Sequence, residues 1–205
     1  MSAFLGPIHH WLYNKILWHE SLLEDIYSEV TGHESKIAEI RASNESRFGM
    51  PVSGALESII DTDNIHGWLQ RQIESVEYRM ANTITLLLEA QLLTEVELTA
   101  LYKRDGEKAA QQIDPSMHRA DALFKLLFDF LLDGMPCDRV NNPIEGNEAH
   151  YTWMKRMCIH KPYWDAVGGD IAVFDSLRHS WMSAFLPKTF IFNQLDEVTF
   201  EIRRV

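Results

Sequence analysis

Hydrophobic residues recur at a helical spacing along most of the chain. The first predicted helix begins at Pro7, which suits the first helical turn because it lacks an N–H group. It ends near Val30, just before Gly32. One face carries the apolar stripe of an amphipathic helix. The stripe consists of Ile8, Leu12, His19, Leu23, Ile26 and Val30.

Three further helical segments follow before residue 93. Two shorter ones are predicted over Glu34–Ser46 and Ala55–Ile60. A long helix is predicted from Ile65 to Leu92, after a run of N-cap residues at Asp61–Asn64. At 1.5 Å per residue it would be about 40 Å long, which allows for a kink or for a contact with a second copy of the chain.

The next two helices are indicated by their terminal residues. Thr94 and Glu97 form a capping box, and the helix that follows them reaches about Ile113. Another helix is predicted to start at Asp114–Pro115 and to stop at Gly134.

The pattern changes after Gly134. Residues Met135–Gly146 are rich in Pro, Asn and charge and are predicted to form a loop. A helix is predicted from Asn147 to Cys158, and Asp170 caps a last helix. The apolar positions of that last helix are Phe174, Leu177, Trp181 and Phe185.

The C-terminus alternates apolar and polar residues, a period of two that indicates a strand. Val198, Phe200 and Ile202 are its apolar positions, and Phe190–Phe192 can pair with it. We therefore predict a mostly α fold, a bundle of about six to seven helices with a small C-terminal β-hairpin. Residues 1–205 are predicted to form a single domain, with a helical core over 1–134 and a Cys- and His-containing loop-helix region over 135–205 that ends in the β-hairpin.

The composition of the chain indicates which binding partners and which cellular compartment to expect. The chain has 205 residues with 19 basic and 30 acidic side chains, and its net charge of −11 argues against nucleic acid or anionic membranes as partners. Only two cysteines are present, which favours the cytoplasm. Met1–Pro7 has neither the basic nor the apolar region of a signal peptide, and no apolar run reaches the length of a membrane span.

The common motifs of several enzyme classes are absent from the sequence. We find no glycine-rich dinucleotide or phosphate loop, no Gly-x-Ser-x-Gly, no Cys-x-x-Cys and no His-Glu-x-x-His. The Glu-x-x-His pairs of di-metal helical bundles are absent as well. Glu148 and His150 are two residues apart, a spacing that does not share a helical face.

His19 is the first candidate for chemistry, because it lies inside an apolar stripe. On a helical wheel it falls within about 20° of its apolar neighbours, so we expect it to point at the core. Imidazole is a common metal or cofactor ligand, and His19 is predicted to act as one. The alternative is a core histidine that is satisfied by a backbone carbonyl.

A second group of candidate ligands lies after Gly134. Cys137, His150, Cys158 and His160 would suit zinc or iron together with His19. Cys158 and His160 can act together only if the helix has ended by then, which the following proline permits. The alternative is that both cysteines are small hydrophobic core residues.

The same region has an aromatic and Met-rich face. Trp153, Met154 and Met157 accompany His150 and would suit a flat apolar cofactor such as a tetrapyrrole with an axial histidine. The alternative is an ordinary hydrophobic core.

Three functions remain open on these grounds. The first is a cytosolic binding protein that holds a metal ion or an apolar cofactor in a pocket between helices. The second is a structural or interaction protein that forms a homodimer through the long helix and binds no cofactor. The third is an enzyme of unidentified class that uses a Cys or a His.

Overall fold

The fold of the chain is known from a computed structural model, which describes residues 5–114 and 116–205. The helices are α1 (Pro7–Glu29), α2 (Glu34–Phe48), α3 (Leu56–Ile59), α4 (Ile65–Glu89), α5 (Glu95–Ala110), α6 (Ala120–Phe130), α7 (Lys161–Ala166) and α8 (Ile171–Phe185). The strands are β1 (Asn141–Gly146), β2 (His150–Lys155), β3 (Phe190–Gln194) and β4 (Thr199–Arg204).

The chain divides into two compact units. One comprises the chain up to Thr94 together with His160–Ile171, and we call it the helical unit. The other comprises Glu95–Ile159 and Ala172–Val205, and we call it the sheet unit. The prediction of a single domain over the whole chain stays a prediction.

The helical unit is organised around α4, against which α1, α2 and α7 pack. The side chain of Asn64 caps α4 by accepting a hydrogen bond from the backbone N–H of Gly67 at 3.1 Å. Apolar side chains of α4 contribute to the core of this unit. Leu69, Ile73 and Ile84 are at most 1% exposed.

The core of the helical unit also contains polar side chains that bond to one another. The amide of Asn44 donates to the hydroxyl of Tyr27 at 3.0 Å and to that of Thr83 at 2.8 Å. Its carbonyl oxygen accepts from the amide of Asn82 at 2.6 Å. Because each buried polar group has a partner, this cluster avoids the cost of an unsatisfied donor or acceptor.

An ion pair is buried in the same unit. Arg79 of α4 donates through Nη1 to Oε2 of Glu20 at 2.8 Å, and its Nη2 bonds the other carboxylate oxygen. The two side chains are only 4% and 10% exposed. The bidentate geometry offsets much of the cost of burying both charges.

The sheet unit contains one antiparallel sheet with the strand order β1-β2-β4-β3. Helix α6 packs on β2 and β4. Helix α8 contacts α5 through Trp181, whose indole N–H donates to a carboxylate oxygen of Asp105 at 2.7 Å. Gly106, next to Asp105, lets the two helices approach closely, since a Cβ atom there would lie 2.5 Å from the backbone oxygen of Trp181.

The structure confirms a mostly helical fold with a C-terminal β-hairpin, formed by β3 and β4. The helix expected from Asn147 to Cys158 is wrong, because His150–Lys155 is strand β2. Part of the expected loop Met135–Gly146 is strand β1. Tyr, Thr and Trp favour a strand in this segment, and pairing with β4 stabilises it.

Two other expectations fall partly on residues that the structure does not describe. Residues 1–4, part of the segment expected not to be a signal peptide, lie outside the described residues, as does Pro115, part of an expected helix start. The helix expected there, α6, begins at Ala120. In the described part of the chain, no helix has both the length and the apolar character needed to cross a membrane.

Candidate functional site

The candidate site is a pocket in the sheet unit, and its floor is built by three strands. Side chains on a strand alternate between the two faces of a sheet. Trp153 on β2 is paired with Phe200 on β4, so both rings lie on the same face. Phe192 on β3 belongs to this face as well, and all three side chains line the pocket.

The three rings of the floor lie nearly parallel. Their centroids are 5.8 Å apart for Trp153 and Phe200, 6.0 Å for Trp153 and Phe192, and 5.9 Å for Phe192 and Phe200. The angles between the ring planes are 27°, 29° and 8°. Such a surface favours another flat ring, which can stack in an offset or edge-on arrangement.

Two helices supply the walls. Phe128 of α6 meets Trp153 edge-on, with ring centroids 6.1 Å apart. On α8, Met182 is buried and the ring of His179 lies 4.8 Å from that of Phe192. Burial lowers the pKa of His179 from its ordinary value of 6.5, so that the ring is neutral at pH 7.

A polar group interrupts the apolar wall at Arg178. Its Nη2 donates to Oδ2 of Asp133 at 2.7 Å, and the amide of Asn141 donates to the same oxygen at 2.6 Å. The side chains of Arg178 and Asp133 are 11% and 7% exposed. Asp133 therefore orients two donor groups that line the pocket, Arg178 and Asn141.

Half of the remaining lining residues are charged. Lys155 and Arg156 bring positive charge, and Asp175 and Glu197 bring negative charge. The exposed thiol of Cys158 belongs to the same lining. The cavity has a volume of about 150 Å³, comparable to a cavity that accommodates a ligand of the size of benzene.

Comparison of the chain with models of protein families, with curated proteins and with solved structures found no match. The geometry and chemistry of the pocket therefore carry the functional argument.

The pocket brings together three of the residues singled out from the sequence, Trp153, Met157 and Cys158. Met154 was expected beside Trp153 on one helical face. In a strand these neighbours point to opposite faces, and the side chain of Met154 is 37% exposed.

His150 lies at the start of β2 and contributes to the turn between β1 and β2. The side-chain oxygen of Asn147 accepts hydrogen bonds from two backbone N–H groups, so its amide nitrogen faces Nδ1 of His150 at 3.0 Å. Nε2 of His150 lies 3.5 Å from a carboxylate oxygen of Glu145. Both ring nitrogens have protein partners, which suits a structural role in the hairpin better than metal ligation.

The other proposed metal ligands lie in different surroundings. His19 is in the helical unit, is only partly buried, and donates through Nδ1 to the carbonyl of Lys15 at 2.9 Å. His160 belongs to the same unit and lies 3.1 Å from Glu77. Cys137 belongs to the sheet unit, where it is exposed in the short 3-10 turn at Pro136–Asp138.

Within residues 5–114 and 116–205, no group of three or more His, Cys, Asp or Glu side chains is arranged to hold a metal ion. Binding of zinc, iron or a tetrapyrrole stays a prediction.

Sequence reasoning missed most of the pocket. Phe192 and Phe200 had a detectable signal, because the period-two pattern of the predicted hairpin places them on one face. Phe128 and Arg178 had none. Their roles depend on how two helices pack on a sheet that was itself only half predicted.

Proposed function

We propose that the sheet unit is a small-molecule binding module, which holds a flat, apolar ligand against the aromatic floor of its pocket. The observation that carries the proposal is the near-parallel arrangement of Trp153, Phe192 and Phe200 beside an open cavity. Ligand pockets are typically concave and lined by aromatic side chains with a few polar groups at defined positions.

The size of the cavity favours one class of ligand over the others. About 150 Å³ suits one or two fused rings, and it is small for a tetrapyrrole. The Met and aromatic side chains of the lining favour an organic ligand over a bare metal ion, which needs several lone pairs at short distance. We therefore propose an aromatic ligand as the apolar cofactor or substrate.

Binding of indole tests the proposal. Saturation-transfer NMR and titration calorimetry should detect saturable binding of indole to the full chain. Val198→Trp places a bulky side chain at a lining position that is already 43% exposed, so the core is untouched. We expect this variant to bind indole at least about tenfold more weakly.

The matched control is Val96→Trp, since Val96 is a surface residue of α5 with 78% exposure. Binding should be unchanged in this variant. Equal loss of binding in both variants, or no binding of indole to the unmodified chain, would overturn the proposal.

We further propose that the protein works in the cytoplasm. Cys137 and Cys158 are free and exposed, and a reducing compartment keeps such thiols in this state. A homodimer through α4, and an enzyme that uses Cys158 or a histidine, stay predictions that no observation favours over ligand binding.

A further inference from the structure

We propose that the ligand of the pocket carries a carboxylate, which the guanidinium of Arg178 binds. This inference rests on the proposed function and adds the chemical class of the ligand, a small aromatic carboxylic acid.

The first observation is that the guanidinium of Arg178 has unused hydrogen-bond donors. Its side chain is 11% exposed, and one nitrogen, Nη2, is bonded to Asp133. Across the described residues the other guanidinium nitrogens have no hydrogen-bond partner, although the group can donate five hydrogen bonds. These nitrogens are not fully buried, so they contact the water in the pocket, and the oxygens of a ligand carboxylate can replace that water.

The second observation is that neighbouring side chains fix the orientation of this guanidinium. Asp133 is itself nearly buried and accepts from Arg178 and Asn141 through one oxygen atom. The ring of Phe174 lies 5.9 Å from the guanidinium carbon. These contacts hold the guanidinium in place before a ligand arrives, which reduces the entropy lost on binding. A planar guanidinium matches the two oxygens of a carboxylate.

The third observation concerns the charged side chains that line the pocket. The lining contains three basic side chains (Lys155, Arg156 and Arg178) and two acidic ones (Asp175 and Glu197). The whole chain has the opposite balance, with 19 basic and 30 acidic residues. Lys155 and Arg156 form no ion pair in the part of the chain that the structure describes. Asp133, which pairs with Arg178, brings the acidic side chains of the site to three, so its charges balance and the site is less acidic than the chain as a whole.

A pair of probes that differ only in charge tests the inference. Benzoate and benzamide have nearly the same shape, so titration calorimetry on the full chain isolates the contribution of the carboxylate. We expect benzoate to bind at least about tenfold more tightly than benzamide. In Arg178→Gln the affinity for benzamide should stay the same and the preference for benzoate should disappear.

Removal of Arg178 leaves the carboxylate of Asp133 without this partner and can impair folding. The double variant Asp133→Asn/Arg178→Gln removes both charges and keeps the contact with Asn141, so it should fold and show the same loss of preference. Lys125→Gln, at an exposed position of α6 outside the pocket, is the control and should keep the preference.

The outcomes separate the two proposals. If indole binds but benzoate and benzamide have equal affinity, the carboxylate inference is wrong and the binding function stands. A preference for benzoate that survives in both Arg178 variants also overturns the inference, since Arg178 is then not the acceptor's partner. If indole does not bind to the unmodified chain, the binding function itself fails.

Discussion

Nδ1 of His160 lies 3.1 Å from Oε2 of Glu77, and the two side chains are 1% and 8% exposed. Sequence reasoning treated His160 as a metal ligand, whereas this contact joins the start of α7 to α4. We expect His160→Ala to lower the free energy of unfolding by about 3 kcal/mol, because it leaves a carboxylate buried without this partner. Urea denaturation followed by circular dichroism measures the change.

His118→Ala is the control for this prediction, since His118 is exposed. It should change the free energy of unfolding by less than about 0.5 kcal/mol. A loss of stability in the unmodified protein after treatment with EDTA would contradict the structural role and support a metal at His160.

Gly106 gives a second prediction, in which packing opposes helix propensity. Alanine is favoured over glycine inside a helix by about 1 kcal/mol. A Cβ atom at Gly106 would lie 2.5 Å from the backbone oxygen of Trp181, so α8 would have to shift. We therefore expect Gly106→Ala to destabilise the protein by about 1–3 kcal/mol in thermal denaturation.

Ala100→Gly, at an exposed position of the same helix, changes the helix propensity without a packing clash. It should lower the free energy of unfolding by about 1 kcal/mol. If Gly106→Ala stabilised the protein instead, the close approach of α5 and α8 would be refuted.

The buried pair of Glu20 and Arg79 gives a third prediction. Glu20→Gln leaves the guanidinium of Arg79, which is 4% exposed, without its counter-charge. We expect the free energy of unfolding, measured by urea denaturation, to fall by about 3–5 kcal/mol. Glu24 makes a similar contact with Arg41 at the surface, so Glu24→Gln should cost at most about 1 kcal/mol. Equal effects of the two substitutions would mean that Glu20 is not buried in solution.

The start of α1 gives a fourth prediction, which concerns pH. His9 accepts a hydrogen bond at Nδ1 from the backbone N–H of Gly6 at 2.9 Å, and its Nε2 lies 3.3 Å from Nε2 of His66. Burial, followed by the charges of His66 and His10, lowers the pKa of His9 from 6.5. The folded state therefore binds this proton less readily than the unfolded state.

The contribution of His9 to stability is accordingly complete above pH 6.5 and is lost as the pH falls through the lowered pKa. NMR titration of the imidazole signals should place the midpoint of His9 below 6.5. In His66→Gln the midpoint should rise towards the ordinary value. A midpoint at or above 6.5 in the unmodified protein would contradict the contact with His66.

Most helices could be predicted from the sequence, and part of the sheet could not. The boundaries of α1, α2 and α4 follow from local signals, namely periodicity, terminal proline and glycine, and capping side chains. Strand β1 gives no such signal, because it contains Pro143, carries mostly polar side chains and is largely exposed. It lies at the edge of the sheet, where proline is tolerated and pairing with β2 decides the structure.

The candidate site was predicted only at Trp153, Met157 and Cys158, and partly for the wrong reason. A helical wheel groups Trp153 with Met154, whereas a strand separates them. The floor of the pocket depends on the register between β2 and β4, which places Phe200 beside Trp153. The role of Arg178 is visible only from its hydrogen bond with Asp133, which lies 45 positions earlier in the chain. Contacts of this range are not encoded in local periodicity.

The two units are interleaved along the polypeptide, since the chain leaves the helical unit after Thr94, returns at His160 and departs again after Ile171. Neither unit is therefore encoded by one uninterrupted stretch of the gene. A single truncation that deletes the sheet unit also deletes α7, and one that keeps residues 95–205 carries α7 without the helix on which it packs. Recombination that exchanged either unit between genes would need three crossovers, one after Thr94 and one on each side of α7.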